Sequence, residues 1–158
     1  MGTFIALIAA IGVGSIISAF IGHHVAISNH RQAWINALRD DLAEFARLLE
    51  KLAYALRDWM RDSEAAGAEE KRRLARTDLL FVYERIRLRL NRNEENHVLL
   101  EQKLSSFINE PLLAKLEDRA SIEELIDVSR KILKDEWEVT KHPWRPYVTK
   151  LKTWLWPF

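Results

Sequence analysis

Ile35-Asn36-Ala37-Leu38-Arg39-Asp40-Asp41-Leu42-Ala43-Glu44-Phe45-Ala46-Arg47-Leu48-Leu49-Glu50-Lys51-Leu52-Ala53-Tyr54-Ala55-Leu56-Arg57-Asp58-Trp59 is the stretch on which the fold turns. Ile35, Leu38, Leu42, Phe45, Leu49, Leu52, Leu56 and Trp59 alternate spacings of three and four, the a/d register of a helix that buries one stripe. Ala46, Ala53 and Met60 widen the stripe on one flank, and Leu48 and Ala55 on the other. A stripe this wide suits a helical bundle better than a lone two-stranded coiled coil, and the same seam could hold chains together as an oligomer. Asp40, Glu44, Arg47, Lys51 and Asp58 occupy the outer positions as a mixed-sign, solvated face.

Upstream of the seam the composition changes. Residues 1–30 carry no Asp, Glu, Lys or Arg, so all 24 basic and 23 acidic side chains lie in residues 31–158. Phe4 to Ile27 is long enough for a helix to cross a bilayer core. Met1-Gly2-Thr3 supplies no basic n-region for a secretory signal, so the reading is a retained transmembrane helix at residues 1–28. Arg31 and Arg39 follow it closely, which places the C-terminal bulk in the cytoplasm. Within the span, Ala6, Ala10, Gly14, Ser18, Gly22 and Ala26 recur every four residues, a small-residue stripe that allows close helix packing in lipid. No Gly or Pro occurs between Ala26 and Asp62, so the span is free to run on into the seam helix.

Downstream, Asp62 to Gly67 reads as a turn. A helix from about Glu69 to Leu90 follows, with Leu79, Val82, Ile86 and Leu90 on its apolar face. Asn91 is expected to end it and Asn93 to cap the next, whose core residues are Leu100, Leu104 and Phe107 up to Pro111. Ser121-Ile122-Glu123-Glu124 reads as a capping box opening a helix to about Val139, with Leu125, Val128, Ile132 and Leu133 turned inward. The fold class is all-α: an N-terminal transmembrane helix, a cytoplasmic antiparallel helical bundle over residues 29–140, and a short amphipathic tail over 141–158.

That tail holds four basic and no acidic residues together with Trp144, Trp154 and Trp156. Tyr147, Leu151, Trp154, Leu155 and Phe158 can line one side of a short helix opposite Lys150, Lys152 and Thr153. Basic and aromatic residues favour an anionic membrane interface, and the competing use is packing over an apolar groove. The stretch Lys71 to Arg92 has eight basic and two acidic residues. Arg85, Arg89 and Arg92 share a face that could meet headgroups or nucleic-acid phosphates. With no aromatic platform interleaved, a solvated surface paired with the acidic stretch Glu117 to Glu138 explains them better, and nucleic acid is not an expected partner.

The composition offers little catalytic chemistry. There is no Cys, no Gly-rich phosphate loop and no nucleophile elbow. Glu94-x-x-His97 occurs once, where a di-iron bundle needs the unit twice with two further carboxylates. His23, His24, His30, His97 and His142 show no metal-ligand spacing. Catalytic residues, metal and cofactor are all expected to be none.

Asn29-His30-Arg31-Gln32-Ala33-Trp34-Ile35-Asn36-Ala37-Leu38-Arg39 resembles a juxtamembrane stretch of a loose group of small single-pass bacterial membrane proteins of unassigned function. Leu90-Asn91-Arg92-Asn93-Glu94-Glu95-Asn96-His97 is similar to their Leu-Asn-Pro-x-Glu-x-x-His segment, with Arg92 where Pro is usual. Lys134-Asp135-Glu136-Trp137-Glu138 is similar to their closing Lys-x-Glu-Trp-Glu. The resemblance implies a shared architecture and transfers no activity. The expected function is a non-enzymatic interaction or oligomerisation module anchored in the bacterial inner membrane, its partners the bilayer and a second copy or another membrane protein. The alternative is a membrane-perturbing or pore-forming effector of the toxin or phage-defence type.

Overall fold

The computed structural model consists of helices α1 Gly2–Arg61, α2 Ala68–Arg89, α3 Glu95–Asn109, α4 Leu112–Glu117 and α5 Arg119–Lys141. It describes residues 2–64, 67–109 and 112–141, with side chains at position 15 and from 18 onward except that of residue 117. Among the described residues there is no strand, and the chain is all-α as expected.

The segment expected as a helix at 1–28 is the first part of α1, which runs on unbroken through the seam to Arg61, the continuation that the lack of Gly and Pro after Ala26 allows. Among the described residues no helix is long and apolar enough to cross a membrane. The described side chains from Ser18 to His30 include Gly22, His23, His24, Ser28 and Asn29, which dilute the apolar run. The side chains of the more apolar residues 4–14, 16 and 17 lie outside the described set.

The chain divides into two units, residues 1–33 with 136–158, and Trp34–Asp135. The second holds the core. Leu38, Phe45, Leu48, Leu49 and Leu52 of α1 pack with Ala75, Leu79, Val82 and Ile86 of α2 and with Leu100, Leu104 and Phe107 of α3. Leu112 and Ile132 add α4 and α5, with Leu42, Leu56, Leu125, Val128 and Leu133 partly buried against the cluster. Ile35 is fully buried and Trp59 half-buried beneath the Arg72 guanidinium. The seam thus makes the bundle contact expected of it. Ile35, Leu38 and Phe45 have no surface left to offer a second copy.

Two helix starts differ from the sequence reading. Asp118, not Ser121, begins α5: its Oδ1 accepts the Ala120 N–H at 3.2 Å, and Ser121 Oγ donates to Oδ2 at 2.5 Å. Asp118 can reach both because it stands at the cap, while Ser121 already lies in the first turn. Before α3, Glu94 stands at the cap position in place of the expected Asn93, and Asn91 shapes the turn ahead of it. The Asn91 Oδ1 accepts the Asn93 N–H and its Nδ2 donates to Glu94 Oε1, at 3.1 and 2.7 Å. The Glu94 carbonyl then accepts the N–H groups of His97 and Val98. The α1–α2 turn relies on Gly67, whose φ of 80° lies in the left-handed region that favours glycine.

In the first unit, α1 and the end of α5 meet at two levels. Arg31 Nη1 lies 2.9 Å from Glu136 Oε2, and Ser28 Oγ donates over a long 3.5 Å to the Thr140 carbonyl.

Candidate interaction surfaces

Asp41 is the buried charge of the bundle, its side chain only 6% exposed. It sits opposite α2, where Arg85 Nη2 approaches Oδ1 at 2.7 Å and Arg89 Nε approaches Oδ2 at 2.6 Å. Desolvating a carboxylate is costly, and two guanidinium partners offset that cost. Arg85 Nε is buried without a hydrogen-bond acceptor among the described residues. This arrangement redirects the basic stretch. Arg85 and Arg89 face Asp41 of α1 rather than the acidic stretch Glu117 to Glu138.

Ion pairs also hold Arg72, Arg73 and Arg87. Arg72 and Arg73 bind Glu69 and Glu70, and Arg87 bridges Glu84 and Glu101. The Arg72 and Arg73 hydrogen bonds hold Glu69 and Glu70 below the usual carboxylate range, and Arg47 does the same for Glu44. Lys51 ties α1 to Asp78 of α2, and Lys103 of α3 pairs with Glu124 of α5.

Trp34, Asn91, Glu94 and His97 form a second polar knot. His97 is buried, and its ring stacks on Trp34 with centroids 5.8 Å apart. Its Nδ1 accepts the Asn91 N–H at 2.9 Å, while Nε2 lies 3.5 Å from Glu94 Oε2. Trp34 Nε1 donates to the Arg89 carbonyl at 3.1 Å, so one indole satisfies the end of α2 and covers the histidine that shapes the next turn. The Glu94-x-x-His97 spacing thus builds a turn. Trp34 joins the first of the three resembling segments to the second, and Arg31 joins the first to the third through Glu136.

The outer face of α2 was not read from the sequence. Leu74, Phe81 and Leu88 are 48%, 67% and 88% exposed, at a spacing of seven. The signal was present, since a seven-residue repeat keeps one face of a supercoiled helix. The inward set Leu79, Val82 and Ile86 drew the reading to the opposite side. Arg85 lies 6.0 Å from the Phe81 ring on one flank of this stripe, and Glu84 occupies the other.

Of the small-residue stripe, Ser18, Gly22 and Ala26 are exposed, and a Cβ at Gly22 would meet nothing within 4 Å. The side chains of Ala6 and Ala10, and Gly14 with them, lie outside the described set. The tail positions Trp144, Tyr147, Lys150, Leu151, Lys152, Trp154, Trp156 and Phe158 lie outside the described residues. No family model, curated protein or solved structure matches this chain.

Proposed function

We propose that the chain is a non-enzymatic helical interaction module, anchored by its charge-free N-terminal segment in the bacterial inner membrane, with its C-terminal bulk in the cytoplasm. It associates with further copies of itself or with another membrane protein. The α2 stripe carries this reading. Leu74, Phe81 and Leu88 repeat every seven residues on a helix whose opposite face already fills the core. A stripe of this kind leaves apolar surface that association removes from water. Parallel pairing is the arrangement open to copies held by the same membrane.

Crosslinking of the full chain in detergent, with its mass measured by light scattering, tests the reading. Phe81→Glu lowers the assembly mass if α2 makes the contact. Gly14→Ile with Gly22→Ile lowers it if the small-residue stripe does. A wild-type chain that is monomeric throughout would remove the association reading.

A further inference from the structure

Within the unit Trp34–Asp135, α1, α3 and α5 do not close fully over the core. Ala43 and Ala46 of α1 and Ser129 of α5 are too short to meet across the gap, and they leave a groove of about 240 Å³. Phe45, Leu49 and Leu104 floor it, and Leu42, Leu125 and Leu133 form its sides. The Ser129 hydroxyl is already given to the Leu125 carbonyl at 2.7 Å. Arg39 and Arg130 are the charged residues of the lining, and among the described residues no acidic side chain joins them. Arg39 is exposed and has no carboxylate partner among the described residues. Arg130 lies a loose 3.7 Å from Asp127, both of them exposed, and such a pair holds a guanidinium only weakly.

The groove has two unlike ends. Leu112 of α4 packs near Leu52 and Leu56 of α1, α5 begins at Arg119, and Glu124 pairs with Lys103 beside Leu104. From that start α5 runs back along α1 toward Trp34. Arg39 and Arg130 therefore lie toward the Trp34 end of the groove, and Leu49, Leu104 and Leu125 toward the other. Drug-sized ligands occupy roughly 300 Å³ or more, so a groove of about 240 Å³ suits a single unbranched chain. Two guanidinium groups without an acidic neighbour in the lining complement an anion, and their planar donors match a carboxylate. We propose that this groove binds a medium-chain fatty carboxylate. The chain lies against Leu49, Leu104 and Leu125, and Arg39 and Arg130 hold the carboxylate. The site shares no residue with the α2 stripe, and its lining lies wholly within Trp34–Asp135.

The test uses the full chain in phosphatidylcholine nanodiscs, irradiated with a diazirine-bearing decanoic acid, with the labelled peptides read by mass spectrometry. Free ligand concentrations are fixed by equilibrium dialysis. Label should concentrate on Leu42–Leu49 and Leu125–Leu133, and decanoate should compete it away. Octanoate should need roughly fifteenfold more, at about fourfold for each buried methylene. Decyltrimethylammonium, with the same chain and the opposite charge, should not compete at the decanoate midpoint. Arg39→Glu should lower labelling of the groove about tenfold, while Arg39→Lys keeps most of it. Ala46→Phe fills the groove from an exposed position and should abolish labelling there, with helix content unchanged by circular dichroism. Label spread evenly along the chain overturns the site. Groove labelling that the cation competes as well as decanoate, or that Arg39→Glu leaves intact, overturns the carboxylate. Groove labelling that appears only when residues 142–158 are deleted makes that segment the occupant and overturns the free ligand.

Discussion

Asp41 and His97 are buried polar residues that the sequence reading did not place. A single Asp at an outer heptad position looks like any solvated residue, and only the approach of α2 shows that Arg85 and Arg89 close over it. Asp41→Asn keeps the volume and removes the charge, leaving two guanidinium groups side by side. Both arginines reach water, so the cost is at the low end for a broken buried pair, about 3 kcal/mol. Urea denaturation followed by circular dichroism checks this, and a midpoint equal to wild type would contradict it. His97 poses a different test. His97→Ala strands the Asn91 N–H and uncovers Trp34, at a cost of about 2 kcal/mol. In His97→Asn the amide oxygen takes the place of Nδ1, so part of that loss should return. If Asn were no better than Ala, the Asn91 hydrogen bond would not be what holds the turn.

At the scale of the element, helices were easy to read from sequence and their boundaries were not. The three-and-four spacing from Ile35 to Trp59 marks a buried stripe because burial follows helical period, and the structure buries or half-buries every one of those positions. A cap depends instead on which of several nearby polar residues reaches a free amide. Asp118 and Ser121 both qualify by composition, and the backbone path selects Asp118. That choice has a pH signature. The Ser121 hydroxyl, followed by the Ser121 and Ala120 amides, holds the Asp118 carboxyl below its ordinary range. A carboxyl depressed in the folded state stabilises it fully above the unfolded value, and the gain is lost as pH falls through the folded value. Asp118→Asn keeps an amide-accepting oxygen that does not titrate. The stability difference between wild type and Asp118→Asn should therefore be largest near neutral pH and shrink in acid. Denaturation midpoints across that range check it, and a constant difference would remove the ionised cap.

For the whole molecule, the buried core falls within one of its two units. Every member of the buried cluster, from Leu38 to Ile132, lies within Trp34–Asp135. The polar knot of Trp34, Asn91, Glu94 and His97 and the Asp41 pair lie there too. A piece this size, with its own apolar core, is well above the roughly 40 residues below which a chain needs metals or disulfides to fold. A fragment spanning residues 34–135 should therefore be helical and unfold cooperatively in buffer without detergent. A fragment that is helical only in detergent would show that residues 1–33 or 136–158 complete the fold. The same fragment also separates the two candidate contacts between copies, because it keeps the α2 stripe and lacks the small-residue one. If α2 is the contact, the fragment self-associates with a concentration dependence that Phe81→Glu removes. If association belongs to the N-terminal segment, the fragment is a monomer at every concentration, and Phe81→Glu changes nothing.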